Sequence, residues 1–181
     1  MKYIFLVTLF VNSIFSHATF STTKVVQPHE AMAYYFTDEN TNIYKKNIIL
    51  SSDQHQKAQK RAQTKIKSKL QRFYIAELDG KIIGYGGLTT TTIRTKGATV
   101  LVVMDAKGKT KAIEVLAFFE PKSYYPTEKW LNHFNDKTIK DKLKLRDTVP
   151  VITGATLTST QLIKSTKTVL AVWEEYFNKG E

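Results

Sequence analysis

Between Phe73 and Phe119 the chain alternates strand-forming runs with short turn signals. Phe73 to Leu78 and Lys81 to Leu88 flank Asp79-Gly80, a two-residue hairpin signal. Thr99 to Met104 and Thr110 to Phe119 flank a longer hairpin loop, Asp105 to Lys109. The runs are rich in Val, Ile, Tyr and Phe, residues that suit a pleated, half-buried backbone. Strands joined by such short connections pair antiparallel. After them comes a helical pattern from about Ser159 to Phe177. Its apolar positions, Leu162, Ile163, Val169, Leu170, Trp173 and Phe177, form one broad face that must pack on the sheet. The expected fold class is therefore α+β: a twisted antiparallel sheet packed by helices.

Upstream, His29 to Phe36 reads as a short helix and Ile43 to Leu50 as a strand. Ser51 with Gln54 forms a capping-box signal, and Ala58, Ala62, Ile66, Leu70 and Phe73 recur at helical spacing, so a helix is expected from Ser51 to Phe73. Lysines and arginines from Lys57 to Arg72 cover its other sides. They read first as a solvated face, and second as a docking face for an acidic partner. Gly84-Tyr85-Gly86-Gly87 reads as a bend or bulge closing a strand. Thr89 to Gly97 reads as an edge strand or loop, with the lining of a cleft as the alternative, and Trp130, Leu131 and Phe134 as a short amphipathic turn.

Charge and the N-terminal segment bear on location. The formal net charge is +11, and the chain has no cysteine. Disulfides, thiolate metal sites and iron–sulfur clusters are excluded. Met1-Lys2-Tyr3 precedes an apolar run, Ile4 to Phe15, and then Ser16-His17-Ala18. This is the pattern of a secretory signal peptide cleaved after Ala18. The expected organisation is a signal peptide at 1–18, a flexible tail at 19–30 and one domain at 31–181, in a protein exported to the periplasm. Nucleic acid is not an expected partner, because no stacking aromatics accompany the cations and the chain carries an export signal.

Most familiar chemistries find no residues here. The histidines lack metal-ligand spacing. There is no Gly-x-Ser-x-Gly, no thiol nucleophile and no glycine-rich phosphate loop of either common type. What remains is Thr153-Gly154-Ala155-Thr156, followed by Leu157-Thr158-Ser159. It places a glycine hinge and clustered hydroxyls at the start of the last helix. A helix N-terminus has unpartnered N–H groups and the positive end of the dipole, so it favours phosphate. Read from these residues alone, the stretch is either an ordinary helix cap or a phosphate-bearing cofactor site.

Thr-Gly-Ala-Thr followed by Leu-Thr-Ser resembles the flavinylation motif, Ser/Thr-Gly-Ala-Thr, of FMN-binding domains. Such domains occur in the sodium-translocating NADH:quinone reductase, in the Rnf electron-transport complex and in small exported flavoproteins. The resemblance extends over about Ala31 to Phe177, including the Asp79-Gly80 hairpin and Thr99 to Phe119. Pro150 stands where the family usually carries Asp. The resemblance implies FMN joined by a phosphodiester to Thr156, with a flavin transferase moving FMN from FAD onto the hydroxyl. It also implies contacts from Thr153, Gly154, Ala155, Leu157 and Thr158, and a loop glutamate near the flavin at Glu120. A flavin ring needs an apolar or aromatic wall, for which Tyr124, Tyr125 and Trp130 are candidates, with core packing the equal alternative for Trp130. The implied activity is electron transfer with a redox partner protein, such as a cytochrome or a membrane electron-transport complex. The alternatives are a noncovalent FMN module and a cofactor-free basic adaptor.

Overall fold

The computed structural model describes residues 26–178. The expected signal peptide and residues 19–25 of the expected tail lie outside them. Five strands form one sheet in the order β1-β2-β3-β4-β5. They are β1 (Asn42–Ile49), β2 (Leu70–Leu78), β3 (Lys81–Thr92), β4 (Gly97–Asp105) and β5 (Thr110–Phe118). Every neighbouring pair is antiparallel. The helices are α1 (Pro28–Tyr35), α2 (Ser52–Ala62), α3 (Glu128–Leu131) and α4 (Thr156–Tyr176). The α+β architecture expected from the hairpin signals is the one observed.

The sheet is covered on both faces, which β4 makes plain. Val100, Leu101, Val102, Val103 and Met104 are all 0% exposed. Alternate residues of a strand point to opposite faces. Val100, Val102 and Met104 join the larger core beneath α2 and α4, while Leu101 and Val103 join Met32 of α1 and Phe36, which follows it, in a smaller core on the other face. Of the tail expected at 19–30, residues 26–30 belong to this second layer. The Val26 N–H donates to Leu116 O at 3.1 Å, and Pro28 opens α1.

The glycines of β3 mark where helices approach, not where the strand ends. The strand continues through Thr92. A Cβ on Gly84 would lie 2.0 Å from the Phe36 ring, and one on Gly86 would lie 2.4 Å from Met32 Sδ, so both glycines admit α1. Gly87 faces the other way, and its Cβ would lie 2.1 Å from Val169 Cγ1 of α4. Thr89–Thr92 prolong β3 past Leu88, its last residue paired with β2, and pair with β4 alone.

The long helix expected from Ser51 to Phe73 is corrected. The capping box is present, with the Ser51 side chain accepting from the Gln54 N–H, but the helix ends at Ala62 and Gln63 takes a left-handed conformation, φ 52°. Irregular chain follows, and β2 starts at Leu70. Leu70 to Phe73 pair with Lys46 to Ile49 of β1. The sheet's ladder outcompetes a helical spacing that Ile66, Leu70 and Phe73 matched by coincidence. Leu70 is 55% exposed, so it was never part of a buried stripe. The last helix starts at Thr156 rather than near Ser159.

The Gly87 contact yields a stability test. Gly87→Ala is expected to destabilise by about 1–3 kcal/mol through overpacking. Adding Val169→Ala should return part of that loss, and chemical denaturation of the two single variants and the double variant measures it. Strictly additive effects would remove the contact from the account.

Candidate functional site

Residue contacts along α4 fix its direction over the sheet. Thr91 Oγ1 donates to Gln161 Oε1 at 3.2 Å, Val169 lies on Gly87, and the Trp173 and Phe177 rings meet Tyr85 at 5.7 and 4.8 Å. The helix therefore runs antiparallel to β3. Its N-terminus lies at the end of the sheet where β3 turns into β4 and where β5 exits.

The chain enters that N-terminus through a tied loop. Thr148 Oγ1 donates to Lys142 O at 2.6 Å and accepts from the Lys144 N–H at 3.0 Å. Asp147 pairs with Lys142 at 2.6 Å; the hydrogen bond from that lysine holds its carboxyl below the usual range. Trp130 Nε1 donates to Pro150 O at 2.7 Å, anchoring the segment to α3. The Ala155 N–H then donates to Ile152 O at 2.8 Å, closing a turn in which Gly154 has φ +74°. That conformation is why glycine stands there. Ser159 locks the turn onto the helix: its Oγ accepts from the Ile152 N–H at 2.9 Å and donates to Ala155 O at 3.3 Å.

The turn sorts the clustered hydroxyls. Thr158 is 1% exposed and Ser159 is 0% exposed. Thr153, Gly154, Thr156 and Leu157 are exposed, while Ala155 is buried beneath them. No side chain caps α4, and no acid stands in its first turn. The first helical bond is from the Ser159 N–H to Ala155 O at 3.1 Å. The N–H groups of Thr156, Leu157 and Thr158 thus have no helical acceptor. The arrangement presents a positive helix end, unobstructed at Gly154, with an accessible hydroxyl on the first helical residue. These features fit a phosphate-linked group.

Glu120 lies at the same end of the sheet with a definite task. It is 8% exposed, and its Oε1 accepts from the N–H groups of Arg94, Thr95 and Lys96 at 3.0, 2.8 and 2.9 Å. The backbone donors of Lys96 and Thr95 lead in holding its carboxyl below the ordinary range, with a smaller part from Arg94. Glu120 thereby folds the β3–β4 turn and leaves the Arg94 and Lys96 side chains exposed there. Sequence reading missed those three amide donors, because nothing in Arg94-Thr95-Lys96 marks a carboxylate cradle. It also missed the bridging role of Ser159.

Tyr125 packs beside the last residues of β5. Its ring meets Phe118 at 5.3 Å and its hydroxyl lies 3.5 Å from Val115 O, at the outer edge of β5. The cleft it lines is shared with Tyr34, Tyr35, Glu114 and Glu128, and none of residues 150–160 takes part. Exposed apolar side chains at the motif's end of the molecule include Leu157, at 48%, and Phe119, at 53%.

Residues 95–171 match the family model described as the FMN-binding domain. This segment is an FMN-binding domain. The match begins inside the turn held by Glu120 and runs through most of α4, so it spans the exposed threonines, the tied loop and the helix start. Neither the curated proteins nor the solved structures give a match to the chain.

The FMN-binding domain's Glu120 gives a pH test. A carboxyl whose folded-state value is depressed stabilises fully above its ordinary value, 4.5, and loses that stabilisation as the pH falls from there through the folded value. Glu120→Gln is therefore expected to lower the melting temperature at pH 7. The gap to the unmodified protein should close progressively below pH 4.5. Thermal melts across that range decide it, and a gap independent of pH would remove the charge from the account.

Proposed function

We propose that the protein is an exported flavoprotein in which FMN is joined to Thr156 by a phosphodiester, and that it passes electrons between redox partners at or near the membrane. The observation that carries this reading is the exposed hydroxyl of Thr156 on an uncapped helix N-terminus inside an FMN-binding domain. FMN supplies the electron chemistry when bound.

The chain's own residues supply the rest. In the attachment step a flavin transferase uses FAD. The Thr156 Oγ1–P bond forms, the P–O bond of the FAD pyrophosphate breaks, AMP leaves and the hydroxyl proton is released. The phosphodiester keeps one negative charge, which the free N–H groups of the first turn stabilise. Thr153 and Gly154 leave the approach open. Leu157 and Phe119 offer apolar surface beside it. Export rests on Met1 to Ala18 and on the periplasmic location those residues imply. A covalent bond suits an exported carrier because the cofactor cannot be lost by dissociation.

The test is intact-mass measurement after co-expression with a flavin transferase. The expected mass is that of the chain, cleaved after Ala18, plus one FMN less one water. Thr156→Ala is expected to abolish the adduct, and Thr153→Ala to retain it. An adduct that survives Thr156→Ala overturns the assignment. FMN released by acid precipitation would point to noncovalent binding, and a colourless protein to a cofactor-free adaptor.

A further inference from the structure

Two grooves run along opposite sides of the exposed stripe of α4, and both are basic. One, of about 500 Å³, is lined by Lys65, Lys67, Arg72 and Lys164, with the hydroxyls of Thr89–Thr92 as a wall. The other, of about 640 Å³, is lined by Arg61, Lys142, Lys144, Lys164 and Lys167. Lys164 borders both, and no Asp or Glu lines either.

Some of these cations are satisfied within the chain. Arg61 pairs with Glu175, Lys142 with Asp147, and Lys167 donates to Gln63 Oε1 at 2.9 Å. Lys65, Lys67, Arg72, Lys144 and Lys164 make no ion pair among the described residues. Four separate stretches of chain bring them together: the irregular segment after α2, the start of β2, the loop before Pro150, and α4. Clefts lined by charges of one sign focus the field and draw in the opposite charge.

The stripe between the grooves starts at the motif. Thr156, Thr160, Lys164 and Lys167 share one face of α4 by helical spacing, and Thr160 Oγ1 donates to Thr156 O at 2.9 Å. At a helical rise of about 1.5 Å per residue, Lys164 lies roughly 12 Å from Thr156 along the axis. Two exposed aliphatics, Leu70 on the wall of the first groove and its cross-strand partner Ile49, add apolar contact beside the charges. Apolar contact bordered by complementary charge is how transient protein complexes are built. Nucleic acid fits less well, since no aromatic side chain lines either groove. A lipid surface is met by cations beside an apolar helix face, not by cations within hydroxyl-walled clefts.

We propose that the two grooves astride α4 are the docking face for an acidic protein, whose carboxylates meet Lys65, Lys67, Lys144 and Lys164. This deepens the redox reading by placing the partner beside Thr156, but the face itself does not require flavin.

The test uses the mature chain, with and without FMN, and poly-L-glutamate as the carboxylate-bearing polypeptide. Amide NMR shifts of the unmodified protein are expected to concentrate at 61–72, 142–145 and 160–168. Reversing the four groove lysines to glutamate should weaken binding at least about tenfold, and reversing Lys81, Lys107, Lys122 and Lys129 should change it less than about threefold. Binding by the flavin-free chain keeps the docking face standing even where flavinylation fails. Equal losses in the two variants, or shifts spread over all lysines, overturn the proposal. So does tighter binding to phosphatidylglycerol vesicles that the groove variant alone abolishes, because the face would then serve a lipid surface.

Discussion

The approach of Val169 to Gly87 is the contact on which the rest of the molecule depends. With no side chain at Gly87, α4 settles directly against β3, and its long apolar face is buried over the centre of the sheet. Gly84 and Gly86 do the same for α1 on the opposite face. One strand thus serves as the thin middle of three layers. Because interiors are close-packed, a helix seated this tightly has little freedom to slide or rotate. Its N-terminus is therefore held at one end of the sheet, next to the β3–β4 turn.

That end is organised around unpaired backbone donors and positive charge. Glu120 consumes three donors of the β3–β4 turn, and Ser159 consumes the one at Ile152. The first-turn N–H groups of α4 are left over, with neither a cap nor an acid beside them. An uncapped helix start gives up roughly 1 kcal/mol relative to a good Ser, Thr or Asp cap. A phosphodiester at Thr156 would supply the missing anion, so the local deficit and the proposed function have one physical origin. The same logic of uncompensated charge extends along α4, where lysines from three parts of the chain line two grooves that no carboxylate lines.

Local signals were legible where local physics decides structure. Asp79-Gly80 and Asp105 to Lys109 announced hairpins, and the apolar positions from Leu162 to Trp173 announced a buried helix face. They failed where a distant partner decides. Leu70 and Phe73 fit a helix by spacing, yet β1 claims them as ladder partners. Gly84-Tyr85-Gly86-Gly87 looked like the end of a strand, because its glycines are explained only by helices more than forty residues away in one direction and eighty in the other. Within the candidate site, Thr156 and Glu120 were found through motif and resemblance. The donors that Glu120 binds carry no sequence mark, since backbone amides are the same in every residue but proline.

By itself the sequence determined two antiparallel hairpins, a terminal amphipathic helix and a hydroxyl cluster at that helix's start. These follow from periodicity, turn chemistry and capping preference, which act over a few residues. Only the tertiary structure decided which hydroxyls are accessible, what Glu120 holds, and that cations far apart in the chain share two grooves. Accessibility and electrostatic convergence depend on what packs beside a residue in space. Here that is settled by a helix pressed onto a glycine, and no local pattern records it.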